Sequence, residues 1–176
     1  LAKEIEVKYQ VKKNWLKMID PKSIQDIRII TQGYISNQDG KVVRVRLVED
    51  NREIRFDKTP TMGYITIKSP AKKAKRGTWR EEFEYEIPAE DARYMLKHLV
   101  QHGTIRKIRY DVAHEGMVWE VDVYKGSNAG LITAELELES LNEEFTTPPW
   151  VTADVSNNHK FSNSNLVKNP FSTWKH

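Results

Sequence analysis

Along this chain, apolar and polar residues alternate one by one far more often than they recur at helical spacing. Nine stretches read as strands on that period of two: residues 2–10, 27–35, 41–49, 51–57, 63–69, 78–87, 104–112, 117–124 and 131–139. They are rich in Val, Ile, Tyr and Trp. Turn residues separate several of them, at Asn37-Gln38-Asp39-Gly40, Glu49-Asp50-Asn51, Thr59-Pro60-Thr61 and Glu115-Gly116. Hairpins this dense predict one large antiparallel sheet, most economically closed into a barrel that leaves no edge exposed. Helical spacing is rarer. Residues 89–102 place Ala92, Met95, Leu96 and Leu99 on one stripe, with Pro88 before it, Glu90 and Asp91 in its first turn and Gly103 beyond its end. Shorter helices are predicted at 11–19, around Trp15, Leu16 and Ile19, and from Ser140, where Ser140 and Glu143 have capping-box spacing. From Thr146 the pattern dissolves into Pro148-Pro149-Trp150 and an Asn/Ser-rich stretch. No repeat or long linker divides the chain. Residues 1–176 therefore read as one domain, mainly β with a few covering helices, and the tail from about 151 is its least patterned part.

What alternates with the apolar residues is informative. Side chains at i and i+2 of a strand share a face. On that rule Glu4, Glu6 and Lys8 lie together, as do Arg44 with Arg46, Arg80 with Glu82 and Glu84, Lys107 with Arg109, Glu120 with Asp122, and Glu135 with Glu137; Lys68 ends its strand in the same phase. Polar faces of half-buried sheets ordinarily meet solvent. Solvent faces mix Thr, Ser and Gln with charges, whereas these are nearly all ionic, and several strands carry one sign only. Like charges side by side are unfavourable unless something bound between them compensates. A barrel with this face turned inward would have a basic wall for a polyanion and an acidic wall for divalent cations. Its apolar face would point outward, under helices such as 89–102. The seven bases and eight acids sum to −1. Two divalent cations and a triphosphate of about −4 to −5 would leave the lumen near neutrality.

Composition narrows the chemistry further. Lys plus Arg number 28 and Asp plus Glu 25, a net +3 that offers no general field for nucleic acid or membrane. With no cysteine, disulfide scaffolds, thiolate catalysis, iron–sulfur clusters and Cys-ligated zinc are excluded. The five histidines show neither HxH nor HExxH spacing, which argues against zinc. No apolar run nears the roughly 20 residues of a membrane span, and no signal segment opens the chain, so a cytoplasmic location is expected. Trp15, Trp79, Trp119 and Trp150 read as core or its cover rather than a base-stacking surface. The Lys72–Arg76 run reads as a solvated loop or, more sharply, a lid.

The ordered series of charged motifs resembles the CYTH superfamily, the triphosphate tunnel metalloenzymes. Glu4-Ile5-Glu6-Val7-Lys8 is similar to its opening ExExK strand, Gln32-Gly33-Tyr34 to its QGY element, and Val43-Arg44-Val45-Arg46 to its RxR strand. Ile67-Lys68-Ser69, Arg80-Glu81-Glu82-Phe83-Glu84 and Lys107-Ile108-Arg109-Tyr110 resemble the next basic strands. Glu120-Val121-Asp122 and Glu135-Leu136-Glu137 resemble the two late acidic ones. The resemblance covers about residues 2–167 and, through QGY and Pro148-Pro149-Trp150, is nearest the bacterial inorganic-triphosphatase branch. Three features depart from the pattern: nine strand-like runs against the family's eight, a long basic loop at 70–77, and Asn158, Lys160 and Phe161 where an acid and Arg-Tyr are usual.

The resemblance implies a closed eight-stranded antiparallel tunnel and a metal-dependent hydrolase of a small triphosphate substrate, using Mg²⁺ or Mn²⁺. A class IV adenylyl cyclase and a non-catalytic polyphosphate or nucleotide binder are the alternatives. Glu4, Glu6, Glu120, Asp122, Glu135 and Glu137 would share two metals. Arg44, Arg46, Lys68, Arg80, Lys107 and Arg109 would hold the triphosphate, because Arg grips two oxygens and Lys supplies a point charge. Gln32 and Tyr34 are further substrate contacts or barrel packing. Lys8 would stand between the walls and, with Glu4 and Glu6, act in catalysis. Glu82 and Glu84 could be ligands, bases or arginine partners, and Lys160 has no defined role. No specific nucleic-acid or membrane partner is expected, and homodimer formation is left open.

Overall fold

A computed structural model describes residues 3–50 and 61–175 of the protein. In chain order it has β1 (Lys3–Val11), β2 (Ile24–Gln38), β3 (Lys41–Asp50), β4 (Met62–Lys68), β5 (Lys72–Lys73), β6 (Thr78–Ile87), helix α1 (Ala89–His98), β7 (Gln101–His114), β8 (Met117–Tyr124), β9 (Ile132–Glu137), β10 (Val151–Asp154) and helix α2 (Asn163–Leu166). Antiparallel pairing runs β1-β9-β8-β7-β2-β3-β4-β6, and β6 pairs back onto β1, so eight strands close a barrel. The two short strands extend the seam: β5 lies along β6 and β10 along β1. The predicted strand at 51–57 falls outside the described residues.

The barrel is inside out. The ionic residues face the lumen and the apolar ones face outward, so the hydrophobic effect acts on the outside of the sheet. Ile5, Val7, Tyr9 and Val11 of β1 are buried there with Trp119, Val121, Ala134 and Leu136 of the next strands. The cover comes from Trp15, Phe145 and Trp150 rather than from a helix. Trp150 stacks tilted or edge-on against Trp15 and Trp119, with ring centroids 6.1 and 6.0 Å away, and Phe145 meets Trp119 at 5.7 Å. Helix α1 covers Val45 and Leu47 of β3 through Ala92 and Leu96. The carboxy-terminal segment packs Val155, Phe161 and Leu166 against Ile105, Tyr124 and Leu131. Ile105 and Tyr124 share the lumen face of their strands with Lys107 and Asp122, so the tail that had no readable pattern packs into the inside of the barrel rather than onto its outer surface.

Three helical expectations change. The stripe at 89–102 stops at His98, because His102 and Gly103 adopt φ of 62° and 84° and turn the chain into β7. The segment 11–19 is only a 3₁₀ turn, Trp15–Lys17: Trp15 is buried, but Leu16 stays 49% exposed, so there is no apolar stripe to bury. At Ser140 no helix starts. The Glu143 carboxylate accepts from the Glu139 N–H instead, and residues 143–148 run without regular structure into a turn in which the Val151 N–H donates to the Pro148 carbonyl oxygen. Among the described residues, no helix is long and apolar enough to cross a membrane.

Gly77 lies where β6 begins to pair with β1. Its φ is +79°, and a Cβ there would sit 2.4 Å from the Glu6 carbonyl oxygen. Gly103 has φ +84° but nothing within 4 Å of such a Cβ. Alanine at either site carries about 1–2 kcal/mol of left-handed backbone cost. Only Gly77→Ala must also push β6 off β1, for about 1–3 kcal/mol more. Urea unfolding of the two variants should show Gly77→Ala to be the less stable; equal midpoints would mean that the seam is not tightly closed there.

Candidate functional site

The lumen encloses a cavity of about 480 Å³. Strand register sorts its charges. Glu6 stands directly opposite Glu137 across β1 and β9, and Glu135 opposite Glu120 across β9 and β8, so three neighbouring strands make an acidic wall. The remaining five strands, β7-β2-β3-β4-β6, carry Arg109, Arg28, Arg44, Arg46, Lys68 and Arg80 around the other side. Closure brings the walls together at the β1–β6 seam, where Glu4 faces Arg80.

Each base is fixed differently. Lys68 Nζ lies 2.9 Å from Glu4 Oε1 and 2.8 Å from Glu82 Oε2, and Arg80 Nε donates to Glu4 Oε2 at 3.0 Å. Arg44 Nη2 donates to Thr66 Oγ1 at 3.1 Å and to Glu84 Oε2 at 3.3 Å. Arg46 is held by an amide: its Nε and Nη2 donate to Gln32 Oε1 at 3.0 and 2.8 Å, while the Gln32 amide donates to the Tyr34 hydroxyl at 3.2 Å. Among the described residues no carboxylate pairs with Arg46. Burial, with Arg44 and Arg109 nearby, pushes it down to about 10.

Beneath the cavity, Lys107 and Asp122 are wholly buried. Asp122 Oδ2 accepts from Lys107 Nζ at 2.6 Å and Arg109 Nη2 at 2.8 Å, and its Oδ1 from Arg109 Nε at 2.7 Å. Burial alone would raise the Asp122 carboxyl; Arg109 and Lys107 outweigh it and hold it at about 2. Burial drives Lys107 down to about 7, Asp122 opposing and Arg109 and Arg46 assisting. Lys8 remains charged. Its Nζ lies 3.2 Å from Glu135 Oε1, and that attraction overrides burial to raise it.

The acidic wall has no such balance at Glu6. Burial, reinforced by Glu135 and Glu4, pushes the Glu6 carboxyl up to about 8. Glu137 at the mouth is raised too, by burial and then by Glu4, Glu120 and Glu82. Crowded carboxylates that resist ionisation, with oxygen as the sole donor type, fit a hard divalent cation. Among the described residues, no three acids or histidines stand in a ready-made metal geometry, since Glu4 and Asp122 are tied to bases.

The structure brings nearly every residue singled out above to this cavity. Lys107, Asp122 and Gln32 form its buried support, and only Lys160 turns away, its Nζ 4.1 Å from the Trp174 ring. Of the basic loop, Ala71 and Lys73 reach the lining. Lys72 lies over the Trp79 ring and Arg76 over the Phe145 ring, both on the outside. Sequence reasoning missed Arg28, Thr66 and Tyr124, although each shares the i+2 phase of a residue it did select. It also missed the tail contacts, for which no such signal exists. Ser156 Oγ accepts from the Lys8 N–H at 2.9 Å, and Asn163 Oδ1 accepts from the Tyr124 hydroxyl at 2.9 Å.

Over 175 residues, 99% of both chains, the protein is 37% identical to an inorganic triphosphatase of Acetivibrio thermocellus. It is 28% identical over 121 residues to an inorganic triphosphatase of Nitrosomonas europaea, covering 67% of this chain and 76% of that one. A crystal structure of an inorganic triphosphatase superposes with a TM-score of 0.60 over 93% of each chain at 22% identity, which is a shared fold. Residues 2–168 match the CYTH domain as a whole. With the motif series in order, the barrel closed around it and nearly the full chain matched, the protein belongs to the CYTH domain family.

Proposed function

We propose that the protein is a divalent-metal-dependent phosphohydrolase of a small triphosphate, inorganic triphosphate first among them. The observation that carries this reading is the division of one enclosed lumen into a three-strand acidic wall and a five-strand basic wall. The full-length similarity to an inorganic triphosphatase supports it. Hydrolysis joins a water oxygen to phosphorus as a P–O–P bond breaks, and it asks a protein mainly for positioning and charge stabilisation.

Glu6, Glu120, Glu135 and Glu137 would hold the cations, Mg²⁺ or Mn²⁺. Of these, Glu120 and Glu135 also meet Arg109 and Lys8 at one oxygen each, whereas Glu4 and Asp122, each held by two bases, join them only by releasing those bases. Bound there, the cations neutralise phosphate charge and lower the pKa of a water. Arg46 is the readiest phosphate clamp, since an amide fixes it without neutralising it. Arg44, Lys68, Arg80 and Arg109 complete the cradle, with Lys107 supporting it through Asp122. Tyr34 lines the cavity beside Arg44 and braces the Gln32 amide. Lys8 stays protonated, so it serves as a fixed charge between the walls and not as a base. Glu82 and Glu84 orient Lys68 and Arg44.

Phosphate release from triphosphate, ATP and thiamine triphosphate tests the reading. Turnover should vanish in EDTA and return with Mg²⁺ or Mn²⁺. Undiminished turnover in EDTA would remove the metal role, and cyclic AMP made from ATP would make the protein a cyclase.

The two walls should separate kinetically. Arg46→Ala removes a clamp and should raise KM for triphosphate, on the order of tenfold for about 1.4 kcal/mol of lost binding. Glu6→Gln keeps the shape but deletes a charge, and should lower kcat instead. If Glu6→Gln turns over normally, Glu6 lacks the role assigned to it.

Stability should also report the acidic wall. In the fold Glu6 titrates at about 8 against an ordinary 4.5, so its stabilising contribution is complete below 4.5 and lost as pH rises through 8. Glu4 and Asp122, held at about 2, contribute above their ordinary values of 4.5 and 3.8, and that is lost as pH falls towards 2. The metal-free protein should therefore melt highest near pH 5, with an alkaline decline that Glu6→Gln flattens. A wild-type melting temperature that stays level from pH 5 to 7, below the range in which the lowered Lys107 adds an opposing rise, would show that Glu6 is not perturbed.

A further inference from the structure

Arg28 is a lumen cation that belongs to none of the motifs. Arg28, on β2, lines the cavity directly across from Arg109 of β7, while Asp111 of β7 stands directly across from Glu120 of β8. The arginine pair across β2 and β7 and the carboxylate pair across β7 and β8 are offset by two residues along β7, so the attractions run diagonally between neighbouring strands. Arg109 Nη1 donates to Glu120 Oε2 at 2.8 Å, and Arg28 Nη2 donates to Asp111 Oδ1 at 2.5 Å. The same Arg28 nitrogen lies only 3.7 Å from Glu120 Oε2, and Asp26 Oδ2 lies 3.3 Å from Arg28 Nε.

These diagonal pairs bear on the acidic wall. Glu120 is the wall's member nearest the bases, and a cation can use it only while the guanidiniums do not claim both of its oxygens. Arg109 is occupied twice over by Asp122. Arg28 is the competitor: it is 27% exposed, its shortest ion pair is to Asp111, and Asp26 lies 3.3 Å from its Nε. We propose that Asp111 is a positioning residue which holds Arg28 off Glu120 and so keeps that carboxylate available to a divalent cation. Asp111 acts through Arg28, without touching cation or substrate. The inference rests on the metal reading of the acidic wall given above. Outer partners that set the orientation of metal-binding groups commonly change affinity by 10–100-fold when removed.

Calorimetric titration of the substrate-free protein with Mn²⁺ tests it, on wild type, Asp111→Asn, Arg28→Gln and the double variant, each first checked by its melting temperature. Asp111→Asn should weaken Mn²⁺ binding about tenfold, because the freed guanidinium swings to Glu120. Arg28→Gln removes the competitor and should bind Mn²⁺ at least as tightly as wild type. In the double variant the loss should disappear, since Asp111 then has nothing to restrain. A double variant as weak as Asp111→Asn would overturn the proposal, because Asp111 would then act by its own charge. So would weaker binding in Arg28→Gln alone, a result that stands even if Asp111→Asn does not fold. Failure of wild type to bind Mn²⁺ would instead bring down the metal reading itself, and the inference with it.

Discussion

Charges taken out of water must find partners, and in this protein that requirement is concentrated inside a closed sheet. Lys107 and Asp122 have no exposed surface at all, and Lys8, Arg44, Lys68 and Arg109 are nearly as buried. Removing such groups from solvent is costly unless geometry is good and every hydrogen-bonding position is filled. The barrel meets most of that condition through register, although Arg44 Nε is buried without a hydrogen-bond partner among the described residues. The strand alignments that close the sheet are the ones that place Glu4 against Arg80, Lys8 against Glu135 and Arg109 against Asp122. A slip of one residue would turn every charge into the apolar cover and every apolar residue into the lumen.

The inside-out arrangement explains the composition of the cover. Apolar side chains on the outer surface need a second layer, and helix α1 is long enough to supply it over only two strands. Elsewhere large aromatics do the work, since one Trp covers several aliphatic neighbours at small entropic cost. Trp15, Trp119 and Trp150 are all but fully buried for this reason. The carboxy-terminal segment lies instead against the lumen side, beside the chemistry. It buries Phe161 and Leu166 while Ser156 and Asn163 reach the Lys8 backbone and the Tyr124 hydroxyl.

The lumen is balanced unevenly, and the unevenness points to ligands. At the seam and in the floor, acids and bases are paired and their carboxyls are held low. Around Glu6 and Glu137, acids meet acids and are driven up. Around Arg46, Arg44 and Arg109 press on a guanidinium that an amide, and no carboxylate among the described residues, holds. Those two imbalances lie on facing walls of one cavity. A cation and an anion bound together relieve both, which neither could do alone.

Much of this was legible in the order of residues. Alternation with period two identifies strands because pleated side chains change face at each step, and the i+2 grouping of charges placed Arg44, Arg46, Glu135 and Glu137 on one face without any tertiary information. The motif series carried the eight-stranded closure. Folding had to settle what depends on which strands become neighbours. The sequence shows Asp122 and Glu120 as equivalent acids two residues apart. Only the pairing of β7 with β8 distinguishes them, sealing Asp122 beneath two bases and leaving Glu120 at the cavity. Arg28, four residues before Gln32, looked like an ordinary strand cation until Asp111, 83 residues away, came to lie against it. The tail's role was hidden for the same reason. Ser156 is 148 residues from Lys8, and contacts across such distances are set by barrel closure rather than by any local spacing.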